Sequence, residues 1–352
     1  MMEQLWWTRL VNSVRLLDDV EDALRNYRSV VLCYDDELPW EDVMYDVLDQ
    51  RVLEMTDSRT FKVLDVSGAK EPGMFLLNEF CREEERADYW PPQHKTPERF
   101  LAQNKSTPLN NRFVCLKGIN SHTAAEWVNC VAGYVESCDA DSEHGVFILL
   151  VKGAVSACPK ELKHLKYADY VSDYDCMMLC LTLISEISCD RAEKMYLCEL
   201  ASNLAHNRVE LAGILASEKL ELVRDPYKVT ERVFKEHGID CELDRNELRE
   251  SIERAIWEAQ IKLVFPKIEN FRAEIIRKYE TRLLQFLPIK NSNNESITVP
   301  ADLEIGQLYY IFGTRLTGKP EFDMLSKMRD ARNKLAHWNP LPYQTLKELG
   351  VV

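Results

Sequence analysis

The sequence predicts an α/β domain built on a parallel sheet, followed by an all-α helical bundle. Three observations carry this expectation. Short β-branched and apolar runs alternate with helix-period segments up to residue 172, the pattern of strands joined by helical crossovers. From residue 173 the strand signal stops and helix-period patterns continue alone. The charge also changes along the chain. Residues 245–352 hold 17 Lys and Arg against 14 Asp and Glu, a balance of +3, whereas the residues before them hold 27 against 44, a balance of −17. The domains expected are residues 1–172 (α/β), 173–243 (a helical lid or linker) and 244–352 (the bundle).

The elements follow in order. Residues 3–28 read as one amphipathic helix, with Leu5, Leu10, Leu16, Leu17, Val20 and Leu24 near helical spacing. Strands are expected at 29–34, 61–66, 112–117 and 145–151, with a weaker fifth at 167–171. Helices are expected between them at 40–50 and 123–135. The polar insert 81–111, with Trp90-Pro91-Pro92, reads as a loop. The bundle opens on Asp244 and Glu247, a capping-box spacing. A long apolar periodicity follows from Leu248 to Phe286, which Pro266 should kink or split. Residues 288–300, with Asn291, Ser292, Asn293 and Asn294, read as a loop, and helices are expected at 301–312 and 321–338.

At 352 residues and 46% hydrophobic content with only 12 Gly, two domains can each bury a core. No apolar run reaches 18 residues, and the N-terminus lacks the basic-then-apolar order of a signal peptide. The expectation is a cytoplasmic protein with no membrane contact. The eleven cysteines include no Cys-x-x-Cys, so neither a disulfide framework nor a zinc ribbon is indicated. Cys176 and Cys180 share a helix face within an apolar run and read as buried free thiols. The sequence implies neither a cofactor nor a metal.

The first strand tests for a nucleotide site. A phosphate cradle needs Gly-rich backbone there and a Lys. Instead the chain reads Cys33-Tyr34-Asp35-Asp36-Glu37-Leu38-Pro39, three carboxylates where phosphate would sit. The run Arg112 to Gly118 lacks an acidic pair for magnesium. The order of strands and then helices loosely resembles P-loop ATPases of the AAA+ type, whose core is followed by a helical or winged-helix lid; here it comes without a nucleotide site. Gly313-Thr-Arg-Leu-Thr-Gly318-Lys319-Pro320 matches Gly-x4-Gly-Lys, but Pro320 replaces the magnesium-binding hydroxyl and a helix precedes it. It reads as a connecting loop whose Arg315 and Lys319 could contact RNA phosphates.

Near the C-terminus the chain reads Met328-Arg329-Asp330-Ala331-Arg332-Asn333-Lys334-Leu335-Ala336-His337-Trp338-Asn339-Pro340. A histidine can move a proton near neutral pH, and an arginine can meet a phosphate that gains charge in a transition state. An offset of five turns the two side chains by about 140° on an ideal helix, which the last turn before Pro340 can relax. A second match, Arg232 to His237, reads as a helix end capped by Gly238.

The C-terminal copy resembles the Arg-x4–6-His motif of HEPN-domain ribonucleases, and the resemblance spans residues 244–352. It implies a helical bundle, a homodimer with a composite site, and metal-independent RNA cleavage in regulated antiphage or toxin–antitoxin systems. His337 would be the proton-transfer group, Arg332 the phosphate stabiliser and Asn333 an orienting residue, with Asp330 and Arg329 in support. A regulatory protein or ligand would act on the acidic N-terminal domain. Two rival functions stand beside this one: a non-catalytic HEPN module for RNA binding or oligomerisation, and an adaptor related to AAA+ ATPases without NTPase activity.

Overall fold

The computed structural model describes residues 2–55, 58–94, 96–139, 143–206, 208–238, 245–290 and 294–352. Asp244, the expected helix cap, and Asn291, Ser292 and Asn293 lie outside the described residues. The chain forms two compact units, Met1–Asp175 and Cys176–Val352.

In the first unit the N-terminal segment is two helices, α1 (Met2–Arg9) and α2 (Val11–Arg25). The single helix expected there breaks at Leu10, whose backbone is extended (φ −75°, ψ 123°). The break lets α1 bury Trp6 and Trp7 completely, ring edge to ring face at 6.4 Å, and burying two indoles outweighs one lost helical residue. Next come β1 (Val30–Tyr34), α3 (Glu41–Met55) and β2 (Thr60–Asp65). The polar insert is not a plain loop. It follows α4 (Pro72–Phe80) and holds three short helices, α5 (Glu83–Ala87), α6 (Pro91–His94) and α7 (Pro97–Gln103). β3 (Arg112–Asn120), α8 (Ala124–Ser137), β4 (Val146–Lys152) and β5 (Lys163–Lys166) complete the unit.

All five strands run parallel, in the order β2-β3-β4-β1-β5. Helices cover both faces. The α4, α7 and α8 layer meets Val31, Cys33, Val114, Leu116, Phe147, Leu149 and Val151, while α1, α2 and α3 pack together on the alternate residues' side. Burial on both faces explains why β4, Val-Phe-Ile-Leu-Leu-Val, reads as one apolar run. The fifth strand lies at 163–166 rather than 167–171, where Tyr167–Asp169 forms a 3-10 turn. It is an edge strand with Leu165 as its one buried residue, so it carries almost no apolar signal.

The second unit is helical. It comprises α9 (Asp173–Ile184, whose first turn carries the unit boundary), α10 (Arg191–Leu204), α11 (Val209–Ser217), α12 (Leu220–Arg224), α13 (Pro226–Glu236) and the 39-residue α14 (Arg245–Leu283). A two-residue hairpin, β6 (Ile289–Lys290) with β7 (Ser296–Ile297), lies in the expected loop. Then follow α15 (Ile305–Thr314), α16 (Phe322–Ala336) and α17 (Tyr343–Glu348). Residues from α9–α13 and from α14–α17 share one hydrophobic core. Pro266 does not break α14; the non-helical dihedrals fall at Tyr279 (φ −116°, ψ 15°). Val264 and Ile268, on either side of the proline, are buried, so packing holds the helix where local preference would interrupt it. Buried Gln260 fixes the C-terminal segment: its Nε2 donates to Tyr196 Oη (3.2 Å) and Leu341 O (3.0 Å), and its Oε1 accepts from Leu341 N (2.6 Å).

No helix among the described residues is long and apolar enough to cross a membrane. Cys176 and Cys180 are buried thiols outside any disulfide, in line with their apolar surroundings in sequence.

Candidate functional site

The segment Arg332 to His337 is the last turn of α16 and its cap. His337 is the C-cap, and Trp338 follows in the left-handed region at φ +62°. The Trp338 N–H donates to Leu335 O (3.2 Å) and the Asn339 N–H to Lys334 O (3.0 Å). These two bonds are the paired bonds of a Schellman motif, with tryptophan where glycine usually sits. A second tryptophan holds it there. The Trp257 ring stacks on Trp338 at 4.1 Å and 9°, and its Nε1 donates to Leu335 O at 2.6 Å. Two carbonyls of the helix end, Lys334 and Leu335, are thereby satisfied. The small, polar and cationic residues of the motif thus fit the solvent side of a stapled helix end.

The individual site residues contact their sequence neighbours and nearby aromatic rings. Arg332, Asn333 and His337 are exposed, and the Arg332 guanidinium donates to its neighbour Asn333 Oδ1 at a long 3.4 Å. Arg329 holds Asp330 (2.7 Å) and lies 3.7 Å above the Tyr309 ring. Arg315 sits over Phe286 (5.5 Å) and Lys319 over Tyr279 (5.9 Å). The earlier match, Arg232 to His237, is a helix end as expected: α13 stops at Glu236 with His237 as cap and Gly238 at φ +66°, and Arg232 binds Glu218 (2.5 Å).

The sheet directs attention to a second place. In open α/β sheets, ligands bind outside the carboxyl ends of strands where the connections diverge. β1 leads by α3 to β2, at the far edge beyond β4 and β3, while β4 leads past β1 to β5. The divergence lies between β1 and β4. The turn after β1 presents Asp35, Asp36 and Glu37 to solvent and buries Leu38 and Pro39. Trp7 Nε1 donates to Pro39 O (2.7 Å) and so fastens the turn to α1. Tyr34 O accepts from Gly153 N (2.8 Å), closing the β1 and β4 ends together. Glu41 and Asp42 fill the first turn of α3. Glu41 accepts from Tyr45 Oη, and burial, reinforced by this carboxylate, pushes the Tyr45 phenol far above its ordinary value. Lys117 Nζ sits 5.5 Å from the Tyr45 ring. At the edge toward β5, Cys33 Sγ lies 3.3 Å from His164 Nε2, and burial raises the Cys33 thiol.

A helix start bearing its own carboxylates repels phosphate, where a bare one would attract it. The acidic turn was legible in sequence. Its fastening was not, because Trp7 and Pro39 are 32 residues apart and neither residue type announces the contact. Among the described residues no group of three or more His, Cys, Asp or Glu side chains is placed to hold a metal.

No family model matches the chain, and no curated protein does. Similar solved structures include a RuvB mutant of Thermotoga maritima, 12% identical, with a TM-score of 0.36 over 80% of this chain and 89% of that one. Another is the Aeropyrum pernix ORC2 protein in ADPNP–ADP complexes, 12% identical, with a TM-score of 0.31 over 91% of this chain and 95% of that one. Scores this low carry no argument about function. Both are AAA+ ATPases and neither is a HEPN protein. The HEPN resemblance is corrected, and with it the ribonuclease reading, as no family model, HEPN included, matches the chain. Of the residues that suggested it, His337 is the helix cap, and Arg332 and Asn333 are exposed on the last turn.

Proposed function

We propose that this chain is an adaptor of AAA+-like organisation that neither binds nor hydrolyses nucleotide, acts in the cytoplasm, and works by contact with a partner or ligand on its acidic N-terminal domain. The observation that carries the reading is the turn after β1. Its three carboxylates face solvent at the sheet's divergence point, and the Trp7–Pro39 hydrogen bond fastens the turn to α1. Conversion to a nucleotide site would require reversing local charge and releasing Pro39 from α1. The remaining sheet and helices are intact, which suits a domain kept for its surface.

The test is thermal unfolding with millimolar ATP, ADP or GTP and magnesium, together with phosphate release. A ligand present at 100 times its Kd stabilises by about 2.7 kcal/mol, several degrees in Tm for a domain of this size. The expected result is no shift and no phosphate. Nucleotide-dependent stabilisation with turnover that Asp35→Ala and Asp36→Ala leave intact would sink the proposal.

A further inference from the structure

Arg59, the residue before β2, is 3% exposed. A guanidinium keeps its charge even when buried, yet among the described residues no carboxylate lies within ion-pair distance of it. Its Nη1 donates to His144 O at 2.8 Å, and its Nη2 is buried with no hydrogen-bond partner. Otherwise the charge meets rings: the guanidinium carbon lies 4.5 Å from the centroid of Tyr27 and 5.4 Å from that of Phe113. Rings offset part of the lost hydration of a cation, but a buried charged donor left unsatisfied is costly and rare in folded proteins.

The two rings differ in position. Phe113 is 2% exposed and forms the inner wall, whereas Tyr27 is 50% exposed and forms the outer one. Tyr27 follows α2 at φ +51°. Its N–H donates to Leu24 O (3.0 Å) and the Arg28 N–H to Ala23 O (2.9 Å), the paired bonds of a Schellman motif with tyrosine in the usual glycine position. These bonds pin the Tyr27 backbone, so its ring can turn outward about the side-chain bonds without disturbing α2 or β1.

We infer that Arg59 is an anion site: a small inorganic oxyanion, of phosphate or sulfate size, seats on its free Nη2 when the Tyr27 ring turns outward. The charge selects the occupant. A buried water needs two or more polar partners, which ring faces do not offer, whereas an oxyanion gains a charge-assisted hydrogen bond from the guanidinium itself. The inference is independent of the adaptor reading, since this pair lies before β1 and the acidic turn after it.

The experiment is isothermal titration calorimetry of the full chain with phosphate and with sulfate, in chloride at equal ionic strength, beside thermal unfolding. Saturable binding is expected, and the tighter of the two anions identifies the natural one. Tyr27→Gly suits the positive φ and removes the cover, so it should bind roughly threefold or more tightly, because the open state no longer has to be populated first. Arg59→Met keeps the length of the side chain without its charge. Exchanging an uncompensated buried charge for an apolar chain leaves or raises stability, so this variant should keep its Tm and bind neither anion. The general stabilising effect of phosphate and sulfate on folded proteins persists in Arg59→Met and is thereby subtracted. Should Arg59→Met fail to fold, the comparison of the parent with Tyr27→Gly still decides. No saturable binding in the parent and Tyr27→Gly alike, binding that survives Arg59→Met, or a Tyr27→Gly variant that binds no more tightly than the parent would each overturn the inference.

Discussion

At the scale of single residues, the most informative side chain is Trp338. A bulky residue in the left-handed region costs roughly 1–2 kcal/mol, so something must hold it there. The parallel stack on Trp257 supplies about 0.5–1.5 kcal/mol beyond the area it buries, and the Trp257 N–H bond to Leu335 O adds about 1 kcal/mol. Trp257→Ala should therefore cost about 2–3 kcal/mol in urea unfolding, less than a fully buried tryptophan because the ring is half-buried. Trp338→Gly loses the stack but relieves the backbone, and should stay within about 1 kcal/mol of the parent. His337→Ala should change stability by no more than about 0.5 kcal/mol, as an exposed cap residue without a side-chain partner of consequence. A neutral Trp257→Ala would show that the stack does not hold the helix end. The sequence displayed the motif's letters but not this purpose, because Trp257 lies 81 positions before Trp338 and a C-cap is ordinarily signalled by glycine.

At the scale of elements, the edge strand β5 is the place where chemistry replaces packing. With Leu165 its one buried residue, β5 is tied to α2 through Lys163, whose Nζ donates to Asp19 O (2.9 Å) and Oδ1 (3.1 Å), while Tyr170 Oη donates to Oδ2 (2.5 Å). The Tyr170 hydrogen bond first, then that of Lys163, holds the Asp19 carboxyl below its ordinary value of 3.8. A depressed carboxyl stabilises the fold above its unfolded value and loses that contribution as pH falls through the folded one. Tyr170, pushed up to about 12 by burial and by Asp19, has the opposite sign. Its share is complete below pH ~10, the ordinary tyrosine value, and disappears as pH rises through the folded one. Asp19→Asn should thus flatten the fall in urea midpoint below about pH 4, the ordinary aspartate range; an unchanged acid limb would show that the triad contributes nothing. The same element marks the limit of legibility. β1, β3 and β4 could be read because burial on both faces forces continuous apolar runs, whereas β5 is recognised by pairing and ion pairs that no local pattern encodes. Pro266 misled for the converse reason: a local rule was overridden by packing around Val264 and Ile268.

At the scale of the whole molecule, two cores predict two unfolding events. The helical unit has its own continuous core, and the sheet unit has its own between the sheet and α4, α7 and α8. Each unit holds about half of the chain, and domains with separate cores break two-state behaviour. At about 0.7 kcal/mol per residue near 60 °C, each half should absorb roughly 120 kcal/mol, so the calorimetric enthalpy should approach twice the van't Hoff value. Two variants assign the transitions. Gly118 stands at φ +85°, where an added Cβ would meet Asp65 Oδ1 at 2.8 Å and the Ser67 backbone nitrogen at 2.9 Å, so Gly118→Ala should cost about 1–3 kcal/mol and lower one transition. Gln260→Ala strands the Leu341 N–H and its carbonyl, at about 1–3 kcal/mol, and should lower the other. A single transition with an enthalpy ratio near one, moved as a whole by either variant, would show that the two units unfold as one body. In that case the adaptor reading would have to treat them as a single surface and not as a partner-binding domain joined to a separate helical one.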